Sequence, residues 1–227
     1  MVGKTRNWRL QADCLEKFSC LANCISPLIV QQKFIPLLFE RIKLVRTLPC
    51  KIASARTLLV ILRFTVKGED RIKILGRIKE ELALAKSCHI RMLYLKLCDM
   101  SISLFSKDYF KRNFFVDFLH LASDPVVNVR LKICSMLPRI KSLICLPSDR
   151  RLLDMLEETV KNLLLRETDT DVLHSVQVSK KLKKSKIYIY IYIHNIRVGL
   201  MLKLMLIHTM SFHLGTDTRA RKYGNGS

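Results

Sequence analysis

The feature that most constrains this chain is a repeat of about 40 residues that runs through its first 177 positions. Five windows with a similar apolar pattern begin at Trp8, Lys51, Ile90, Val129 and Val172. Successive starts therefore lie 43, 39, 39 and 43 residues apart. Positions 0, 4 and 7 of the windows are mostly apolar, and residues at this spacing lie on one face of an α-helix. Each window is predicted to be a helix.

A second amphipathic helix is predicted after each of the first four windows. Its apolar positions are Phe34, Leu37, Leu38 and Ile42; Ile74, Leu75, Ile78 and Leu82; Phe110, Phe114, Phe118 and Leu121; Leu152, Leu153, Leu156, Val160, Leu163 and Leu164. The turns between first and second helices are placed at residues 25–33, 66–71, 106–107 and 146–151. Helices with such broad apolar faces must be covered on more than one side, so the helical pairs must stack.

Stacked helical pairs of this length predict an all-α fold, a HEAT-like α-solenoid of about four helical pairs followed by a non-homologous C-terminal tail. The units are predicted at residues 7–46, 47–86, 87–124 and 125–168, with the start of a fifth at 169–177. The chain has only 7 Gly and 6 Pro among 227 residues. This shortage of chain breakers disfavours a turn-rich β-sandwich or barrel.

Boundary residues support these helices. Asp124 followed by Pro125 predicts an N-cap acceptor and a first-turn proline, and Ser148 or Asp149 is predicted to cap the next helix. Pro138 falls inside a first helix, where we expect a kink. Trp8, the one tryptophan, is interpreted as the apolar anchor of the first helix rather than a binding hot spot.

The tail, residues 178–227, differs from the body. The chain carries 40 basic and 19 acidic residues, a net charge of +21. The tail contributes 10 basic residues and 1 acid, hence +9, and the body contributes +12. A Lys-rich run at 180–186 precedes strictly alternating Ile and Tyr at 187–193. We interpret the tail as basic, low-complexity and poorly ordered.

The origin of the tail has two readings. An alternating T/A nucleotide run encodes alternating Ile and Tyr, which favours read-through into non-coding sequence or an alternative final exon. The competing interpretation is a β-strand, which Ile and Tyr favour. The apolar stretch 198–214 is short and contains Lys203, so no membrane span is expected.

No catalytic, cofactor-binding or metal site is predicted. The residues Gly3, Lys4 and Thr5 imitate the end of a phosphate-binding loop but lack its upstream glycine. Cys14, Cys20 and Cys24 have no second ligand cluster at zinc spacing. The chain carries no His-Glu-x-x-His arrangement and no nucleophile motif. We therefore expect a protein that is not an enzyme and needs no cofactor.

The cysteines indicate the compartment. All 8 precede residue 146 and lie among apolar residues, which predicts buried, reduced thiols. No apolar segment follows the charged first nine residues, so no secretory signal is recognised. These observations predict a cytoplasmic protein.

The body resembles HEAT repeats. Residues 124–130 (DPVVNVR), with Ile133, Leu137 and Pro138, follow the family's pattern of Asp, then Val-Arg, then apolar positions. Arg9 and Arg91 repeat the arginine, but Ile52 and Leu173 replace it. Only the fourth unit is read as having an acid six residues upstream, which argues against a continuous Asp–Arg ladder between units.

More narrowly, residues 7–172 resemble the HEAT-repeat regulatory subunits of serine/threonine protein phosphatase 4, which are related to the phosphatase 2A scaffold. The resemblance implies a non-catalytic scaffold that binds the phosphatase 4 catalytic subunit in the cytoplasm. It also implies further repeats on both sides in the parent protein, so that this chain is expected to be a truncated or alternative isoform.

Related scaffolds grip their partners by the turns within repeats, which implies contact residues at the turns predicted above. The candidates are Gln32, Lys33, Lys67, Asp70, Lys107, Asp108, Arg150 and Arg151. Two alternative functions stay open: a basic HEAT adaptor for nucleic acid or a membrane surface, and a truncated isoform without function. Because the basic residues are spread over four units, nucleic acid is not the expected partner.

Overall fold

The computed structural model describes residues 7–21 and 24–178, and this part of the chain is helical with no strand. In chain order the helices are α1 (Trp8–Leu21), α2 (Pro27–Ile29), α3 (Ile35–Leu44), α4 (Leu48–Phe64), α5 (Gly68–Ile78), α6 (Cys88–Leu104), α7 (Lys107–Asn113), α8 (Phe115–His120), α9 (Val127–Lys141), α10 (Arg150–Arg166) and α11 (Thr170–Val178). The π-helical turns Val30–Phe34 and Lys79–Ala83 and the 3-10 turn Leu121–Ser123 extend α2, α5 and α8. Residues 179–227 lie outside the described residues, as do the predictions about their order.

The helices form stacked pairs, as the repeat predicts. The first helices α1, α4, α6, α9 and α11 pack in that order, each against the next. The second helices are the run from α2 to α3, then α5, the pair α7 and α8, and α10. The predicted HEAT-like α-solenoid is therefore confirmed.

The core follows the helical stripe read from the sequence. In the first helices α1, α4, α6 and α9, the central residue of this stripe is buried. These residues are Leu15, Leu58, Leu97 and Met136. The second helices bury most of their predicted stripe, and in the third unit Phe110, Phe114 and Phe118 are all buried. Phe34, Leu37, Leu75, Leu152, Leu153 and Leu164 are only partly covered. Each apolar side chain is thus covered partly by its own unit and partly by a neighbour.

The first turn is shorter than predicted because a proline starts a helix there. Pro27 occupies the first turn of α2, where its missing N–H leaves no bond unmade. The Ser26 hydroxyl accepts a hydrogen bond from the Ile29 N–H. The helical run therefore begins at Pro27, and Gln32 and Lys33 lie within a helix rather than in the predicted turn at 25–33. A π-helical turn, closed by the Ile35 N–H bonding to the Val30 carbonyl, precedes Pro36 and widens the helix where its ring would clash.

The two predicted caps are wrong. Helix α9 begins at Val127 with Val126 as its N-cap, and the Asp124 carboxylate instead accepts hydrogen bonds from the Val126 N–H and from Arg91. Asp149 is the N-cap residue of α10, but its side chain does not cap that helix. Both carboxylates are used by tertiary partners. Pro138 does lie inside α9, and the kink there stays a prediction.

Trp8 and several cysteines are more exposed than predicted. Trp8 is 40% exposed, and the Arg9 guanidinium lies 4.9 Å from its ring centroid. All eight cysteines are free, but only Cys50, Cys98 and Cys134 are buried, while Cys20, Cys24 and Cys145 are exposed. An apolar sequence neighbourhood does not bury a residue on the outer face of a helix, such as Cys20, or in a turn, such as Cys24 and Cys145, which is why the prediction of buried thiols failed.

Two arginine clasps join successive units. The Arg91 guanidinium donates Nε to Asp124 Oδ2 at 2.5 Å and a second N–H to Oδ1 at 2.8 Å. The Arg130 guanidinium does the same to Glu167, at 2.6 and 2.8 Å. The sequence analysis placed an acid six residues upstream of the arginine position in the fourth unit alone. Glu167 lies six residues before Leu173, so such an acid is present in the fifth unit as well.

Each clasp also fastens the start of its own first helix. Arg91 donates to the carbonyls of Ala85 and Lys86, and Arg130 donates to those of Asp124 and Pro125. Each guanidinium therefore holds its own preceding turn as well as the acid in the linker that leads into the next unit. Bidentate, charge-assisted pairs of this kind fix geometry as well as adding energy.

The second helices carry a separate series of ion pairs. Lys43 Nζ lies 2.5 Å from Glu81 Oε2, and Lys79 Nζ lies 2.7 Å from Asp117 Oδ1. Both pairs join neighbouring units, and both lysines are about half exposed. Such pairs add little stability individually, but they restrict how one unit slides on the next.

We expect Gly76→Ala to stabilise the chain. Gly76 lies inside α5, and an added Cβ would meet no atom within 4 Å. Alanine in a helix interior is favoured over glycine by about 0.8 kcal/mol, so the free energy of unfolding in urea should rise by about that amount. Gly68→Ala, at the first residue of α5, should give a smaller change; a decrease at position 76 would contradict the helical assignment.

We expect Arg130→Met to destabilise the chain by about 3 kcal/mol, because it leaves the Glu167 carboxylate, 4% exposed, without its cation. Thermal and urea unfolding followed by circular dichroism will measure the loss. The control is Asp154→Asn, which removes the exposed pair with Arg150 and should change stability by less than about 0.5 kcal/mol. Equal effects of the two variants would show that the clasp does not join the units.

Candidate partner-binding edge

The turns between first and second helices, with the first residues of each second helix, form the candidate site. We call this surface the turn edge and define it by the described residues 24–33, 65–71, 105–112 and 142–151. The first two turns adjoin directly, because Val30 of the first unit and Val66 of the second line the same groove. The edge is thus shared between units from its start.

The later turns also adjoin. The Arg71 guanidinium of the second unit lies 5.5 Å from the ring centroid of Tyr109 in the third. Lys111 Nζ of the third unit lies 2.6 Å from Asp149 Oδ2 of the fourth. The four turns therefore follow one another along a continuous edge, on which a partner can contact several units at once.

The eight candidate residues from the sequence all lie on this edge, although mostly in helices. Gln32 and Lys33 belong to the π-helical turn, and Lys67 is the N-cap residue of α5. The first turns of α5, α7 and α10 contain the other five residues, which are Asp70, Lys107, Asp108, Arg150 and Arg151. All are exposed except Asp70, which is half-buried. Their role in binding stays a prediction.

The edge presents more free cations than free anions. Asp108 pairs with Lys111 at 2.7 Å, and Arg150 pairs with Asp154 at 3.0 Å. Among the described residues, no ion pair is formed by Lys33, Lys67, Lys107 or Arg151. These four cations are available to the acidic groups of a partner.

Lys111 is a member of the edge that the sequence analysis missed. Its ammonium, almost fully covered, lies between Asp108 and Asp149. Hydrogen bonds to these two carboxylates raise the pKa of Lys111. The helical spacing of the sequence does indicate that Lys111 is buried. Lys111 precedes Phe114 and Phe118 by three and seven residues, so it lies on the same buried face as they do.

Asp149 braces the turn that precedes α10. Its carboxylate accepts hydrogen bonds from Lys111 Nζ at 2.6 Å and from the Cys145 N–H at 2.8 Å. The bond from Lys111, followed by that from Cys145, holds the pKa of Asp149 below its ordinary value. The turn at 142–149, which carries Arg150 at its end, is therefore tied to the preceding unit.

Apolar side chains also lie on the edge, and the sequence analysis did not select them. Val66 is 93% exposed and Leu28 is 64% exposed, and Leu146 is exposed in the fourth turn. For Val66 and Leu146 the signal was an apolar residue within a short segment between two helices. The edge is accordingly mixed, with apolar residues between cations, as is typical of protein interfaces.

Two thiols of the first helices, Cys98 in α6 and Cys134 in α9, are buried, and the described residues hold no metal cluster. No group of three or more His, Cys, Asp or Glu in this part of the chain has the arrangement to hold a metal ion. Burial raises the pKa of the Cys98 thiol and, to about 12, that of Cys134, so both thiols stay protonated and unreactive. None of the described helices combines the length and apolar character that crossing a bilayer requires.

Comparison with known proteins finds the resemblance expected from the sequence. The chain is 37% identical over 170 residues, 75% of its length, to "Serine/threonine-protein phosphatase 4 regulatory subunit 4" of Homo sapiens, and equally to the protein of that name in Mus musculus. No family model matches the chain. The match covers 20% of the human and 19% of the mouse protein, so the chain spans about a fifth of their length. It is homologous to one segment of a phosphatase regulatory subunit.

We expect the turn at 142–149 to open in acid. Because the pKa of Asp149 is lowered in the folded chain, its stabilising bonds are fully present above the ordinary carboxyl pKa of about 4 and are lost as the pH falls through the lowered value. The protection factor of the Cys145 amide, which is the intrinsic exchange rate at each pH divided by the observed rate, should fall in that range when measured by NMR. In Asp149→Asn the protection factor should be low at every pH, whereas a wild-type protection factor in this variant would refute the role of Asp149.

Proposed function

We propose that this chain is a non-catalytic scaffold that binds the catalytic subunit of a serine/threonine phosphatase of the phosphatase 4 type. The observation that carries the proposal is the 37% identity over 170 residues to phosphatase 4 regulatory subunit 4. The turn edge is the surface we assign to the contact, and the cytoplasm is the compartment.

The construction of the edge supports this role. The bridge from Lys111 to Asp149 holds two successive turns of the edge in place before a partner arrives. The clasps at Arg91 and Arg130 fix the opposite ends of the helices, in the turns between units. A surface that is already ordered loses little conformational entropy on binding. Exposed apolar residues such as Val66 can then bury area against the partner, while the free lysines fix its orientation.

The scaffold supplies no reacting group in this proposal. Its exposed cations, with the half-buried Asp70, serve to position a partner that carries the active site. The candidate contacts Gln32, Lys33, Lys67, Asp70, Lys107, Asp108, Arg150 and Arg151 span all four helical pairs, so the free energy of binding is distributed along the edge. A single substitution should weaken the complex without abolishing it.

The second candidate function is a basic adaptor for nucleic acid, which the net charge of +21 favours. Several basic residues of the body are already neutralised, however. Arg91, Arg130, Lys111, Lys79 and Lys43 all pair with acids between units. These five cations maintain the solenoid, and the scaffold is favoured over the adaptor by the 37% identity to a phosphatase regulatory subunit.

We expect Lys67→Glu with Lys107→Glu in the full chain to weaken binding of purified phosphatase 4 catalytic subunit at least tenfold, about 1.4 kcal/mol. The reason is that two free cations of the edge become anions. Biolayer interferometry at two salt concentrations will measure the dissociation constant. The control, Arg46→Glu with Lys86→Glu, makes the same charge change in the turns between units, at the other ends of the helices, and should change it less than twofold.

Three outcomes would contradict the proposal. Failure of the wild-type chain to bind the catalytic subunit would leave a chain without scaffold function. Equal loss in the two double variants would show that net charge, not the turn edge, governs binding. Stronger binding to a DNA duplex than to the catalytic subunit, lost on raising the salt concentration, would favour the basic adaptor.

A further inference from the structure

An apolar groove lies on the turn edge where the first unit meets the second. Its walls are formed by Pro27 and Val30 from one unit and by Ile61, Phe64 and Val66 from the other, and it encloses about 210 Å³. This volume is below the roughly 300–1,000 Å³ of pockets that hold drug-sized ligands. The groove therefore fits one bulky side chain of a peptide rather than a small-molecule cofactor.

The rim of the groove exposes more apolar surface than folding requires. Val66 is almost fully exposed, and Phe64 is about half exposed. Both residues line the groove, together with Pro27 and Val30 of the first unit. Single exposed apolar residues are ordinary, but a contiguous cluster around a concavity marks an interaction site.

The charges around the groove select the kind of partner. Lys67 lines the groove. Arg63 and Lys33 do not line it, but both are exposed and close in the chain to lining residues, Arg63 directly before Phe64 and Lys33 three residues after Val30. Among the described residues these three cations form no ion pair. The acids nearby are Asp70, which lines the groove, and Glu69. The surplus of positive charge is complementary to a carboxylate-bearing segment.

We propose that this apolar groove binds a short segment of a partner protein in which one bulky aliphatic or aromatic side chain is flanked by Asp or Glu. The apolar side chain fills the space between Val30 and Val66, and the flanking carboxylates lie against Lys67 and Arg63. The site goes beyond the scaffold role, because it involves only the first two units and requires no contact with a phosphatase catalytic subunit.

The experiment is a selection of random 12-residue peptides, displayed on phage, on the immobilised full chain. The counter-selection uses Val66→Asp, which places a carboxylate at the groove mouth on a residue too exposed to affect folding. We expect recovered peptides to be enriched in an aliphatic or aromatic residue next to Asp or Glu. Their recovery should be at least tenfold lower on Val66→Asp. The control Val116→Asp changes an exposed valine on α8 and should recover them as the wild type does.

A second measurement tests the charge contacts. The most enriched peptide, labelled with fluorescein, is titrated with the chain, and Lys67→Glu should raise its dissociation constant at least fivefold. Replacing the apolar residue of the peptide by alanine should raise it at least tenfold. Circular dichroism must show wild-type helicity in each variant, so that a lost contact is distinguished from a lost fold.

The proposal is wrong in any of four cases: no peptide is recovered, the recovered peptides are basic, recovery is equal on Val66→Asp, or recovery is equally low on Val116→Asp. It is also wrong if the wild-type chain sediments as a dimer that Val66→Asp converts to a monomer, because a second copy would then occupy the groove. Because the contact assigned to the catalytic subunit also includes Lys107 and the later turns, these outcomes do not decide whether that subunit binds, and its binding is measured separately.

Discussion

Apolar contact between successive first helices is the interaction on which the rest of this structure depends. No unit encloses a core of its own, since its central side chain, Leu15, Leu58, Leu97 or Met136, is covered partly by the next unit. Burial of this kind is strong but carries no direction. It explains why the helices associate, and it leaves their register to other contacts.

The register is supplied by the charged groups. The clasps from Arg91 to Asp124 and from Arg130 to Glu167 are bidentate and largely buried. In Glu167, the hydrogen bonds from Arg130 hold the pKa below its ordinary value. In Asp124, burial acts to raise the pKa, but the bonds from Arg91 and the Val126 N–H lower it further than burial raises it. Both carboxylates are thus ionised at neutral pH, and each fixes one junction between units.

The period of the sequence was sufficient to predict the fold and the buried faces, because apolar spacing reports directly on which side of a helix is covered. Helix ends were predicted less well. Asp124 and Asp149 have the chemistry of capping residues, but arginine and lysine side chains about 35 residues away engage them instead. At the candidate site, the cations of the turn edge were predicted, whereas Lys111 and the exposed Val66 were not, since their environment depends on the neighbouring unit.

The second helix of the second unit carries one ion-pairing residue for each of its two neighbouring units. Glu81 accepts Lys43 from the unit before it, and Lys79, two residues earlier in the chain, reaches Asp117 of the unit after it. Such an arrangement is head-to-tail and does not close on itself. A tandem copy of residues 47–86 would present its own acid to the preceding copy's lysine and its own lysine to Asp117. The array can thus grow by duplication without new surface chemistry, while reversing the order of units would set like charges against each other.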